Sequence, residues 1–352
     1  TKTYLPSKEK FIKYIDGIWE THIVTNNGPY LQMLEQKLTE YSGCTKVLAC
    51  VNGTIAIQLA LRALNITKEV ITTPFSYVAT TNALLWEHCT PVFVDINRKN
   101  FTIDSSKIEK AITENTQAIL ATQVYGHPCD VDNIAKIAKR HNLKVIYDAA
   151  NAFGTFYKGK SVFAYGDISI CSFHATKLFH SIEGGALFIN NEEYARQLFL
   201  YRAFGHINDD YLSIGINGKM SELHAAMGLC ILDDVNSIIE KRKEVTLQYD
   251  AWLDERFKSV RLSSPEIVYN YAYYPVLFID EEELKTAVTL LNEKNVYPRR
   301  YFYPSLNKLP FLNKVYDCPV SEDIACRVVC LPLSHYTTEE EIRLICRIIN
   351  NR

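Results

Sequence analysis

Lys177 stands in the run Ser172-Phe-His-Ala-Thr-Lys-Leu-Phe-His-Ser-Ile-Glu-Gly-Gly185, between two strand-like segments, Asp167–Phe173 and Ala186–Ile189. A lysine at the carboxyl end of a strand occupies the edge at which α/β sheets bind ligands. Its chemistry there would be covalent. An amine with an ordinary pKa of roughly 10.4 forms a Schiff base once desolvation or cationic neighbours free its lone pair. Most lysines are surface charges, so the reading depends on companions, and three are found upstream. Asn52-Gly53-Thr54 lies between a strand and a helix, offering backbone N–H groups and a hydroxyl where a phosphate is held, although the tripeptide is also an ordinary turn and helix start. Asp148 follows the strand Lys144–Tyr147 and leads into Ala-Ala-Asn-Ala-Phe-Gly154. A carboxylate there could pair with a protonated pyridine nitrogen and keep the ring an electron sink, or simply cap the next turn. Thr73-Pro-Phe-Ser-Tyr-Val-Ala79 offers Phe75 and Tyr77 to stack on a planar ring, with core packing as their default role.

The elements that must position these residues alternate in type. Strand character marks Val47–Cys50, Glu69–Thr72, Val92–Ile96, Ala118–Gln123, Lys144–Tyr147, Ile168–Phe173 and Ala186–Asn190. Helical periodicity marks Tyr30–Tyr41, Thr54–Leu64, Ser76–Glu87, Val131–Arg140 and Glu192–Ala203. This is the pattern of βαβ units around a mainly parallel sheet. A long helical pattern from Lys219 to about Phe257 reads as a connector into a smaller α+β part, with a strand at Tyr273–Phe278 and helices at Glu281–Lys294 and Thr338–Asn350.

Composition narrows the class. With 352 residues, 47% hydrophobic content and a net charge of −2, the chain is an ordinary globule large enough for two domains. It has no basic block to attract nucleic acid or a membrane surface, and its longest apolar run, Ile324–Leu333, falls far short of the ~20 residues a span requires. No signal peptide is evident, and a cytoplasmic location is expected. The ten cysteines include no CxxC pair and read as reduced, mostly buried thiols. Cys326 with Cys330, or His174 with His180, lacks the further ligands a metal needs, so no metal site is expected.

Taken together, the residues resemble the DegT/DnrJ/EryC1/StrS sugar aminotransferases, pyridoxal phosphate enzymes of the aspartate aminotransferase fold, or fold type I. The landmarks span nearly the whole chain: Gly28-Pro29, Asn52-Gly-Thr54, Thr73 through Thr80, Gln123-Val-Tyr-Gly126, Asp148 through Gly154 and Ser172 through Gly185. Further along come Gly215-Ile-Asn-Gly-Lys-Met220, Glu222-Leu-His-Ala-Ala226, Arg299-Arg-Tyr-Phe-Tyr-Pro304, Cys318-Pro-Val-Ser-Glu322 and Cys330-Leu-Pro-Leu333. The resemblance implies an α/β fold with a mainly parallel seven-stranded sheet in a large cofactor-binding domain, residues 1–235. A smaller α+β domain follows, residues 236–352, on which the N-terminal segment is expected to pack.

The resemblance also assigns roles. Lys177 holds pyridoxal 5'-phosphate covalently, with the pyridoxamine form as intermediate, and Asp148 faces the pyridine nitrogen. Gly53, Thr54 and Ser172 hold the phosphate, and Tyr77 covers the ring. Asn217 reaches the phosphate of a neighbouring subunit, which implies a homodimer with composite sites. Asn151 stands where relatives commonly carry His or Gln near the cofactor's 3-oxygen; its amide donates a hydrogen bond from a shorter side chain. His174, Glu183, Arg299, Arg300 and Tyr303 are the candidates around the substrate, the arginines because a guanidinium fork suits a diphosphate, although both could equally be surface charges at a domain junction. His180 is as readily a packing residue as a contact.

The implied reaction moves an amino group from L-glutamate to a nucleotide-linked keto sugar. Relatives that dehydrate carry histidine in place of the lysine, so Lys177 argues for transamination. Glu183-Gly-Gly185 looks like members acting on 4-keto sugars, which points to a dTDP-4-keto-6-deoxyhexose, first dTDP-4-dehydro-6-deoxy-D-glucose, for surface polysaccharide such as the O-antigen of lipopolysaccharide. A 3-keto sugar, a UDP- or GDP-sugar, or an inositol is the alternative substrate. A non-catalytic sugar-nucleotide-binding or regulatory protein on the same fold is the alternative of another class.

Overall fold

The computed structural model describes residues 2–261 and 264–351. A seven-stranded sheet runs across its width in the order Lys46–Cys50, Gly185–Ile189, Ile168–Ser172, Lys144–Asp148, Thr116–Thr122, Glu69–Thr72 and Thr90–Phe93. Gly185–Ile189 is antiparallel to both neighbours, and every other pairing is parallel. These strands are apolar almost throughout because helices cover both faces. Val47 and Phe188 pack with Leu34, Leu38 and Leu229 on one side, while Leu48 and Leu187 pack with Ala60, Leu61 and Leu84 on the other.

Helix starts follow local chemistry. Asn52 accepts from the Ile55 N–H at 2.8 Å to begin Gly53–Ala63, and Ser221 caps the 31-residue helix Glu222–Trp252. Thr338 and Glu341 form a capping box that opens Glu339–Asn350. Pro29 occupies the first turn of Pro29–Ser42, where two landmarks distant in sequence meet: the Glu222 carboxylate accepts from the N–H groups of Tyr30 at 2.7 Å and Leu31 at 2.8 Å. Gly28 is required at this junction, since a Cβ would lie 2.5 Å from the Glu222 carboxyl carbon.

The strand expected at Val92–Ile96 lies instead at Thr90–Phe93. Asp95 turns away from the sheet, its carboxylate accepting from Val320 N at 3.0 Å and Ser321 N at 2.9 Å to begin the helix Pro319–Arg327. The apolar run Ile324–Leu333 therefore divides between the end of that helix and the strand Val328–Leu331.

The helix Glu222–Trp252 is continuous through the expected boundary at 235/236. Val235 and Ile238 on it belong to the core beside the large sheet, whereas Val245 and Tyr249 pack with Tyr274, Val276, Leu284, Val329 and Ile345. There the strand Tyr274–Leu277 pairs antiparallel with Val328–Leu331, covered by Glu281–Glu293 and Glu339–Asn350. At the N-terminus, Tyr4 packs its ring 4.9 Å from His335 and donates to Asp234, and an unforeseen helix, Lys8–Thr21, lies on the long helix. Nine cysteines are buried and Cys326 is half-buried.

Candidate active site

A cavity of about 370 Å3 opens at the carboxyl ends of the parallel strands. The loop after Ile168–Ser172 carries Lys177 at the tip of a folded-back segment, closed by Phe173 N to Gly184 O at 2.8 Å and Ser181 N to Phe173 O at 2.9 Å. Phe179 stacks on Phe153 at 4.1 Å beneath it, so the loop is rigid where the lysine emerges. Lys177 is half-buried and donates from Nζ to Asn151 Oδ1 at 2.8 Å. Desolvation lowers its pKa below the ordinary lysine value, and the nearby Asp148 charge works in the opposite direction.

Asp148 closes its strand, 4% exposed. Its Oδ2 accepts from Thr80 Oγ1 at 2.6 Å and its Oδ1 from Ala150 N at 3.1 Å. Burial raises its pKa; Thr80, the Ala150 N–H and Lys177 oppose that rise. No Lys, Arg or His among the described residues forms an ion pair with it. A buried carboxylate of this kind calls for a cation, and the cavity in front of it is where one would sit.

Opposite, the helix Gly53–Ala63 points its N-terminus at the cavity. Asn52 satisfies the Ile55 N–H, which leaves those of Gly53 and Thr54 as the first donors facing the cavity, beside the half-buried Ser172. The cradle is tight: a Cβ on Gly53 would lie 3.0 Å from Ser172 Cβ, and one on Gly185 would lie 2.4 Å from the Asn52 carbonyl carbon. N–H groups at a helix start form an anion site suited to a phosphate.

Of the remaining expected residues, Tyr77, Asn151, His174, Glu183 and Arg299 line the same cavity. His174 Nε2 lies 3.4 Å from Glu183 Oε1. The choice between Phe75 and Tyr77 resolves in favour of Tyr77, which is exposed to the cavity, while Phe75 is fully buried against Phe101, Tyr125 and Phe302. Arg300 does not reach the cavity: its guanidinium pairs with Glu281 at 3.0 Å, donates to Cys326 O at 2.9 Å and stacks on Tyr303, holding that ring outside as well. Asn217 is exposed on its own loop, bonded to Lys219 at 2.8 Å, and does not line this chain's cavity. His180 is a packing residue, Nε2 donating to Tyr4 O at 2.8 Å and Nδ1 accepting from Ile182 N at 3.2 Å.

Sequence reasoning missed Tyr273 and Tyr301, which line the cavity from the C-terminal part, Tyr273 donating to Asn151 Oδ1 at 2.9 Å. It also missed Thr80, although Ser76 and Thr80, four apart at a helix start, were a visible polar pair.

The sequence profile of the DegT/DnrJ/EryC1/StrS aminotransferase family matches residues 6–350. The chain belongs to this family. It is a pyridoxal phosphate-dependent nucleotide-sugar aminotransferase. The enzyme is 42% identical to a dTDP-4-amino-4,6-dideoxy-D-glucose transaminase of Shigella dysenteriae over 340 residues, 95% of this chain and 93% of that one. An Escherichia coli protein of the same name is 38% identical, covering 99% of this chain and 97% of its own. Among solved structures, DesI with its TDP-sugar product superposes with a TM-score of 0.93 at 28% identity, over 99% of this chain and 91% of that chain. The cavity of this aminotransferase has the chemistry such a cofactor needs: an amine at Lys177, a buried carboxylate at Asp148, and the N–H groups of Gly53 and Thr54 beside the Ser172 hydroxyl.

Proposed function

We propose that this aminotransferase transfers the amino group of L-glutamate to dTDP-4-dehydro-6-deoxy-D-glucose, giving dTDP-4-amino-4,6-dideoxy-D-glucose. The observation that carries the substrate is the 42% identity, over nearly the whole chain, to a transaminase named for that product. Glu183, whose run Glu-Gly-Gly185 suggested a 4-keto sugar, lines the cavity beside His174, which supports a substrate-facing role for it.

When bound, pyridoxal phosphate supplies an aldehyde that condenses with amines and a ring that takes up the electron pair left at the α-carbon. Gly53, Thr54 and Ser172 would hold its phosphate and Lys177 its aldehyde. Asp148 would hold a proton on the ring nitrogen, and Tyr77 would shield one face from water. Lys177 Nζ, favoured in its free-base form by desolvation, removes the α-proton of glutamate in the first half-reaction. In the second it delivers a proton to the sugar's fourth carbon. Asn151, oriented by Tyr273, accepts from the lysine and leaves its own N–H groups for the cofactor's 3-oxygen.

The enzyme works as a homodimer in which Asn217 completes the partner's phosphate site. Phe204, Tyr211, Leu212 and Ile214 are exposed around that loop, Ile214 to 90%, an apolar surface that a second subunit would cover. The setting is cytoplasmic synthesis of a surface polysaccharide such as the O-antigen of lipopolysaccharide. The deciding experiment offers glutamate with dTDP-, UDP- and GDP-linked 4-keto and 3-keto sugars and reads products by mass and NMR; amination of anything in preference to the dTDP-4-keto sugar refutes the assignment. Mixing Lys177→Ala with Asn217→Ala protein tests the composite site: about a quarter of wild-type activity should return, half the dimers being mixed with one intact site each.

A further inference from the structure

In the cavity wall, where Ser76 and Thr122 are lining residues and Thr80 is not, three hydroxyls form a line that ends on Asp148. Thr122 Oγ1 lies 3.0 Å from Ser76 Oγ, Ser76 Oγ lies 2.7 Å from Thr80 Oγ1, and Thr80 Oγ1 lies 2.6 Å from Asp148 Oδ2. All are buried: Thr122 is 1% exposed, Ser76 2% and Thr80 0%. They come from two places in the chain, Ser76 from the turn before the helix Val78–Trp86, Thr80 from its first turn, and Thr122 from the end of the strand Thr116–Thr122.

The direction of the line follows by elimination. An ionised carboxylate only accepts, and each hydroxyl has one hydrogen to give. Thr80 therefore donates to Asp148 and must accept from Ser76, which in turn accepts from Thr122. Every hydrogen points toward the carboxylate. With Asp148 ionised, the line thus gives the anion a complete run of donors. Chains of this kind polarise cooperatively in a buried setting. The second carboxylate oxygen is held by the Ala150 N–H, so both positions are fixed.

We propose that Thr80, Ser76 and Thr122 are positioning residues which hold Asp148 as an oriented carboxylate and, through it, keep the cofactor's ring nitrogen protonated. The second half of this proposal rests on the transaminase reading of the site. The ionisable groups facing Asp148 are Lys177 and the thiols of Cys171 and Cys129, both thiols pushed up by burial and so neutral. Lys177 is consumed in binding the cofactor, which leaves the hydroxyl line and the Ala150 N–H as the protein's own support for the anion.

The test uses Thr80→Val, which keeps the shape and removes the donor, with Thr80→Ser as rescue and Thr122→Val as a more remote change. In the full-length protein freed of cofactor, the protonation of Asp148 is followed by NMR of 13C-carboxyl aspartate and assigned by loss of the signal in Asp148→Asn. Thr80→Val should shift the equilibrium toward the acid by about ten-fold or more, as expected for one hydrogen bond to a charged group. Thr122→Val should shift it less in the same direction, and Thr80→Ser should match the wild type. In the loaded enzyme, 15N-labelled pyridoxal phosphate should report a protonated ring nitrogen in the wild type and Thr80→Ser, and a partly neutral one in Thr80→Val. An unchanged Asp148 equilibrium in Thr80→Val, or equal defects in Thr80→Val and Thr80→Ser, would overturn the role. A shifted carboxyl with an unmoved ring nitrogen would overturn its extension to the cofactor. Failure of the wild-type protein to take up pyridoxal phosphate at all would instead overturn the transaminase reading, with the carboxyl measurement still deciding the first half.

Discussion

Replacing Glu35 with alanine should destabilise the large sheet and loosen the phosphate cradle together. Lys46–Cys50 is an edge strand, bonded on one side to Gly185–Ile189 and met on the other by side chains and a single bridge from Cys50 to Lys219. Glu35, 5% exposed on the helix Pro29–Ser42, accepts from Ala49 N at 2.9 Å along that outer side and pairs with Arg202, which is 1% exposed. Arg202 in turn donates to Ala49 O at 2.6 Å. In Glu35→Ala the guanidinium loses its counter-charge inside the protein, which alone costs about 3–5 kcal/mol. The Ala49 N–H loses its partner as well, a further penalty of about 1–3 kcal/mol that water entering the new space partly relieves. The expected total is about 4–5 kcal/mol, read as a fall in the urea midpoint. Because Asn52 lies three residues beyond Ala49, the variant should also retain pyridoxal phosphate less well on dialysis. A double variant, Glu35→Leu with Arg202→Met, leaves no charge stranded and should lose less than Glu35→Ala alone. A loss below about 1 kcal/mol in Glu35→Ala, or a double variant worse than the single, would refute this reasoning.

Asp148→Asn removes the charge that raises the Lys177 pKa, so in the cofactor-free protein the lysine should react with an aldehyde probe at lower pH than in the wild type, while turnover falls by about a hundred-fold or more; an unshifted profile contradicts the coupling. Gly185→Ala places a methyl against the backbone of Asn52 and Gly53, at 2.4 and 2.6 Å, and should weaken cofactor binding with about 1–3 kcal/mol of lost stability, measured by fluorescence titration and urea unfolding. Arg299→Ala should raise KM for the nucleotide sugar with the stability unchanged, whereas Arg300→Ala, which breaks the contacts to Glu281 and Cys326 O, should lower stability and leave KM near wild type.

What could be read in advance follows from how local each signal is. Lys177, Asp148 and Gly53 stand at strand ends and a helix start that announce themselves through apolar runs, caps and turn residues. The antiparallel direction of Gly185–Ile189 was not announced, because an all-buried strand has the same composition in either direction. The short connection through residues 173–184 was the available clue. Arg299 and Arg300 are adjacent and chemically identical; only the packing of Glu281 and Tyr303 around one of them tells them apart. Tyr273 reaches Asn151 from more than a hundred residues away, a meeting that no local pattern encodes. The helix Lys8–Thr21 passed unnoticed because it buries little, with Ile18 its one fully buried residue.

The unbroken helix Glu222–Trp252 is a rod with its first half clamped in the large core. Its first residue is locked into the start of Pro29–Ser42, and its far end lies in the core that carries Tyr273, Arg299 and Tyr301 to the rim of the cavity. Its stretch from Glu222 to Ile238 is held in the core beside the large sheet, so a tilt begins beyond Ile238, where the remaining residues span roughly 21 Å and each degree displaces the far end by about 0.4 Å. The aperture through which a bulky sugar nucleotide enters thus depends on the angle at which that rod leaves the large core, and substitutions at Val235 or Ile238 would register as changes in substrate entry.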